Sequence, residues 1–205
     1  DAEEVWALGF NGQNVIVGGQ DTGYDWTHPA LSEKYRGNGI TIDHNYNWHD
    51  AIHEINANAQ DSINPCGLDV QYPCDDHNHG THTMGTMVGE DNDNQIGVAP
   101  GAKWIACRNM ERGNGTPATY IECFEWFMAP TDLNNENPDV SKAPHVIANS
   151  WSCPTSEGCD STNWHVMEAV VQNLKASGVV VVVSAAVVVV LPLLLSLANV
   201  ALLLL

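Results

Sequence analysis

The 205-residue chain carries 25 acidic residues against 7 basic ones, a formal net charge of -18 at pH 7. Such an excess of carboxylates argues against nucleic acid or an anionic membrane surface as a partner. With 44% hydrophobic residues and a mean hydropathy of -0.17, the composition is that of a soluble globular protein, long enough for one domain with a substantial core.

The first nine residues read as a short helix stopped by Gly9. No signal peptide opens the chain, and a secreted protein would have lost one on processing. Residues 14–19, Asn-Val-Ile-Val-Gly-Gly, have the apolar run of a buried parallel strand. The run leads into Gln20-Asp21-Thr22-Gly23, so Asp21 sits just past a strand's carboxyl end, where open α/β sheets assemble their sites. His28-Pro29 fixes an extended step in a turn. Residues 40–42 and 46–48 are candidate short strands. Residues 50–76 are polar, rich in Asn and Asp, and read as a long surface excursion carrying Cys66 and Cys74.

His77-Asn78-His79-Gly80-Thr81-His82 then places three imidazoles within six residues, beside Asp75 and Asp76. The small-residue run after it predicts a helix from about His79, closely packed where Gly85 and Gly89 remove bulk. Histidine at the mouth of a buried helix suits proton transfer or metal binding. Glu90 to Asn94 form an acidic turn. Asp91 and Asp93 there offer oxygens of the kind calcium takes, although an exposed acidic turn is the preferred reading. A strand is predicted over 104–110, a helix over 119–128 and a buried strand over 145–148. The last ends in Asn149-Ser150-Trp151-Ser152. Residues 164–176 are amphipathic, with Val166, Ala169, Val170, Asn173 and Leu174 on one side. Residues 179–183 form an apolar strand. Strands alternating with helices imply parallel β-α-β units in one doubly wound α/β domain, helices on both faces of a mostly parallel sheet.

Six cysteines fall at 66 and 74, 107 and 123, 153 and 159. Neighbour pairing is the simplest of the arrangements open to them, and it suits an oxidising, extracellular compartment. No C-x-x-C spacing points to zinc–thiolate chemistry. Residues 187–205 are almost wholly valine and leucine, and no charge follows Lys175. The run has the length of a membrane span, but Pro192 and Asn199 interrupt it and no basic flank follows. It reads as an ending foreign to the domain rather than as a membrane anchor, leaving residues 1–186 as the domain.

A carboxylate beside an imidazole fixes its tautomer and lets the second ring nitrogen act as general base. Asp21 and His79 are the pair that could do this. Asp21-Thr22-Gly23, His79-Gly80-Thr81-His82, Gly97-Val98-Ala99-Pro100 and Asn149-Ser150-Trp151, in that order, resemble the subtilisin-like serine proteases. The resemblance runs from about residue 15 to 185. It implies the three-layer subtilisin-like fold and an endopeptidase with an Asp-His-Ser triad, in which Asp21 is the acid and His79 the general base. By the same resemblance, His82 faces the interior, and Ser150, Trp151 and Ser152 form the wall of the main specificity pocket. Gly113, Asn114 and Gly115 form the opposite edge, along which an extended polypeptide substrate adds as a strand. No cofactor is required, and calcium as a structural ion is known in the family.

Two departures stand out. Where the family has an oxyanion asparagine, the chain reads Ser184-Ala185-Ala186-Val187, and valine offers no donor. No Gly-Thr-Ser nucleophile motif occurs in the 205 residues. The chain is therefore expected to be the front part of a protease, fold incomplete at the carboxyl end, unable to form an acyl-enzyme alone. A rival reading takes His77, His79 and His82 as H-x-H-x-x-H, close to the H-x-H-x-D-H of metallo-β-lactamase-like zinc hydrolases, with Thr81 where the aspartate belongs. A third is a remnant that binds peptide without cutting it.

Overall fold

The computed structural model describes residues 2–59, 63–92 and 94–184. In chain order the elements are α1 (Ala2–Ala7), β1 (Ile16–Asp21), α2 (Pro29–Ser32), β2 (Trp48–Asp50), α3 (His79–Val88), β3 (Glu90–Asp91) and β4 (Asn94–Gln95). There follow β5 (Lys103–Arg108), β6 (Met110–Glu111), β7 (Asn114–Gly115), α4 (Pro117–Met128), β8 (Val146–Asn149), α5 (Trp164–Ala176) and β9 (Val180–Val183). The expected strand at 46–48 lies two residues later, and at 40–42 there is only a single bridge from Ile42 to Asn38.

A five-stranded sheet in the order β2-β5-β1-β8-β9 forms the centre, and every neighbouring pair is parallel. The α/β fold of the sequence reading is the observed one. Alternation along β5 shows how one strand serves two cores. Trp104 and Ala106 face Tyr24, Leu31, Tyr35, Met84 and Val88, on the side of α2 and α3. Ile105 and Cys107 face Tyr120, Phe124, Phe127, Val170 and Leu174, on the side of α4 and α5. The buried side of α5 is rotated by about one residue from the expected one: Met167, Val170, Val171 and Leu174 are buried, whereas Val166 is exposed.

β1 is central, and its glycines set how near the layers come. A Cβ on Gly18 would stand 2.8 Å from both the Ile147 and the Phe127 side chains. From β1 the chain runs out to β2 at one edge, returns to β5 beside β1, and then crosses β1 to β8 on its other side, so the direction of winding reverses at the carboxyl end of β1. A crevice opens there in such sheets. Asp21 and Arg108 are the last residues of their strands and lie in register.

The described residues of the excursion between β2 and α3 are pinned at several points. Disulfide Cys66–Cys74 closes it, alongside Cys107–Cys123 and Cys153–Cys159, the neighbour pairing expected from spacing. Arg108, fully buried, donates from Nε to Asp50 at 2.9 Å and from Nη2 to the Gly67 carbonyl at 2.6 Å. The Glu111 carboxylate accepts from the Asn56 backbone and the Asn64 amide. His53 faces carboxylates from both ring nitrogens, Asp69 on Nδ1 and Glu122 of α4 on Nε2, and Glu122 also meets His49. Among the described residues no helix is long and apolar enough to cross a membrane; the Val/Leu tail at 187–205 lies outside them.

Candidate active site

β1 delivers Asp21 to the switch point, and the first turn of α3 delivers His79. The Asp21 side chain is 2% exposed and that of His79 42%. His79 Nδ1 and Asp21 Oδ1 are 2.7 Å apart, so an Nδ1–H donates to the buried carboxylate and leaves Nε2 as the lone-pair nitrogen. The hydrogen bond to Asp21 raises the His79 pKa; burial opposes, and the charges of Asp21 and Asp75 add to the rise. Asp21 Oδ1 also accepts from the Thr22 amide at 2.7 Å.

Gly80 makes the approach possible. A Cβ there would stand 3.1 Å from Asp21 Cβ and overlap the Gly23 carbonyl oxygen. It is this glycine that lets α3 touch β1, not Gly85: a Cβ on Gly85 would meet nothing within 4 Å. Asn78 precedes the helix in the left-handed region (φ 67°) and makes no side-chain cap. Asp75 caps instead, accepting from the backbones of His77, Asn78 and Thr81.

The other two imidazoles do not converge on His79. His77 and His82 are both exposed. The interior position expected of His82 is not observed, because Gly80, Met84 and Val88 take the buried side of α3. Among the described residues no group of three His, Cys, Asp or Glu is placed to hold a metal ion, which leaves the H-x-H-x-x-H zinc reading without a site. Asp91 is exposed and accepts from the Asn92 amide; Asp93, its expected calcium partner, lies outside the described residues.

Ser150, Trp151 and Ser152 follow β8, next to β1, so they flank the same sheet edge as Asp21. The Trp151 indole is not an open wall. It is 9% exposed, stacks on Tyr120 at 4.0 Å between ring centroids, and donates Nε1–H to the Gln20 carbonyl at 3.0 Å. Any lining of a pocket there falls to its backbone and to Ser150 and Ser152. Gly113 lies in the β6–β7 turn with φ 84°, against the His77 ring. Asn114 and Gly115 pair with Glu111 and Met110, and their carbonyls receive the Asn56 amide at 3.2 Å. The expected oxyanion position, Ala186 and Val187, lies outside the described residues.

The profile of the subtilase family matches residues 12–186. The chain belongs to the subtilase family. It is 44% identical over 157 residues to Bacillopeptidase F of Bacillus subtilis, covering 74% of this chain and 10% of that protein. It is 28% identical over 182 residues to the Major intracellular serine protease of the same organism, covering 88% of this chain and 45% of the relative. Minor extracellular protease Vpr, again from B. subtilis, matches at 28% over 174 residues, 83% of this chain and 18% of the relative. The chain thus spans less than half the length of each of these subtilases.

Sequence reading missed Asp75, noted only as a carboxylate beside the histidines. Its signal was its place four residues before His79, within reach of a helix start.

Proposed function

We propose that the chain supplies the acid and the general base of a serine endopeptidase. Asp21 orients His79 and stabilises its imidazolium, while His79 Nε2 takes the proton of a serine hydroxyl as it attacks a peptide carbonyl and later returns it to the leaving amine. The observation that supports this most is the 2.7 Å contact of His79 Nδ1 with an Asp21 carboxylate that is almost wholly buried. Among the described residues no other protein group bonds the His79 ring, so the second nitrogen is available to a nucleophile.

Residues 1–205 hold neither a Gly-Thr-Ser nucleophile motif nor an asparagine at 187, the expected oxyanion position, so by this reading they carry the acid and the base without the nucleophile. The substrate is a polypeptide in extended conformation, lying between Gly113-Asn114-Gly115 and Ser150-Trp151-Ser152. The proposed location is extracellular, which three disulfides favour; the relatives' names include both an extracellular and an intracellular protease. No metal or organic cofactor takes part in the step, and any calcium is structural.

A fluorophosphonate probe tests the assignment. The 205-residue chain should stay unlabelled. A polypeptide extended through a Gly-Thr-Ser segment should label, and Asp21→Ala or His79→Ala should abolish that labelling. Labelling of the 205-residue chain, or labelling of the extended chain indifferent to His79, overturns it.

A further inference from the structure

We propose that Asp75 is the positioning residue of the Asp21–His79 pair: one carboxylate that locks the exit of β1 to the first turn of α3. The inference rests on the reading of that pair as acid and base.

Five donors converge on Asp75. Oδ1 accepts from Thr22 Oγ1 at 2.8 Å, the His77 amide at 3.0 Å and the Asn78 amide at 2.8 Å. Oδ2 accepts from the Thr81 amide at 2.9 Å and from Thr81 Oγ1 at 2.5 Å. The two hydroxyls carry the lock onward. Thr22 Oγ1 accepts the Gly80 amide at 3.0 Å, and Thr81 Oγ1 accepts the Asp25 amide at 2.9 Å. Thr22 is the neighbour of Asp21, and Gly80 the neighbour of His79. Each member of the pair is thus held through the adjoining residue, and both holds end on the same carboxylate.

This arrangement requires a charged acceptor. An ionised carboxylate has only acceptor sites, enough for five donors. An asparagine in its place would present an NH2 to one set of N–H and O–H donors, and one side of the lock would open. Asp75 also adds a second negative charge near the imidazole, in the sense that raises its proton affinity. The Asp21–His79 hydrogen bond and the basicity of His79 should therefore both depend on a residue that touches neither.

NMR of the 205-residue chain tests this without requiring turnover. Isotope-labelled histidine allows the His79 titration and the exchange of its Nδ1 proton to be followed. In Asp75→Asn, with the fold checked by amide dispersion, the His79 titration should move to lower pH and the Nδ1 proton should exchange faster. Asp25→Asn removes a nearby charge without touching the Asp75 carboxylate and should leave the Nδ1 exchange unchanged. If Asp75→Asn fails to fold, Thr22→Val removes one arm of the lock and keeps the carboxylate; it should speed Nδ1 exchange on its own. A His79 titration and Nδ1 exchange matching the unsubstituted chain in Asp75→Asn, or in Thr22→Val where that variant stands in, overturn the inference. If instead the titration moves but an extended, serine-bearing chain cleaves no peptide, the lock stands and the peptidase reading fails.

Discussion

Replacing Gly80 by alanine should pull Asp21 and His79 apart. The new Cβ would lie 3.1 Å from Asp21 Cβ and 3.2 Å from the Gly23 carbonyl carbon, with the Gly23 oxygen nearer still. Non-bonded carbons settle at about 3.5–4.0 Å. The first turn of α3 must therefore back away by roughly 0.5 Å for the carbons and on the order of 1 Å for the oxygen. Added to the present 2.7 Å, such a shift carries the Nδ1–carboxylate separation to about 3.7 Å, where no hydrogen bond remains. Overpacking against rigid backbone costs about 1–3 kcal/mol, and the helix propensity of alanine returns no more than about 1 kcal/mol. The clash wins, and the melting temperature of a chain this size should fall by roughly 2–8 °C. The internal control is Gly85→Ala on the same helix, where the Cβ meets nothing within 4 Å; it should stabilise by about 0.5–1 kcal/mol. Thermal denaturation followed by circular dichroism reads the stabilities, and histidine NMR reads the pair. A Gly80→Ala chain that melts no lower than the parent and keeps the raised His79 titration refutes the close-approach account.

His53 should act as a pH-dependent clip on the excursion. Burial lowers its pKa, but hydrogen bonds to Asp69 and Glu122 outweigh this and leave it raised above 6.5. A raised folded value means the stabilisation is complete below the unfolded pKa and lost as pH rises through the folded one. His53→Gln should therefore cost most below about pH 6.5, by no more than ~1 kcal/mol because the side chain is 47% exposed and solvent screens it. Denaturation at several pH values checks this, and a pH-independent difference contradicts it. Removing Cys107–Cys123, which joins residues 16 apart, should cost about 3 kcal/mol of unfolding free energy in urea. Arg108→Met would leave the Asp50 carboxylate, 2% exposed, buried without its cation. A loss of about 3–5 kcal/mol is expected, together with earlier proteolytic cleavage within residues 51–74. Unchanged cleavage would show that the buried ion pair does not hold the excursion.

Spacing and periodicity carried the fold a long way. An apolar run ending in Asp21, alternating helices and strands, and cysteines in near neighbours are local signals, and each has its counterpart in the fold. Local signals fail where a side chain's partner is distant in sequence. H-x-H-x-x-H looks like a metal cluster on paper, yet α3 points His79 at Asp21, 58 residues earlier, and leaves His77 and His82 to solvent. Trp151 suits a pocket wall by its place in the chain, but the gap between β1 and α4 draws the indole onto Tyr120.

By itself the amino-acid order determined the parallel α/β architecture and the placing of Asp21 at a strand end and His79 at a helix start, and it made neighbour pairing the simplest of the disulfide arrangements that the structure then chose between. Backbone preferences and the alternation of apolar residues act over a few positions, so they can be read there. Only the tertiary structure decided that Gly80 rather than Gly85 is the point of contact, that Asp75 gathers five donors, and that Arg108 and His53 fasten the excursion. Each of these depends on atoms brought together across tens of residues by packing, and no short stretch of sequence encodes which of them will meet.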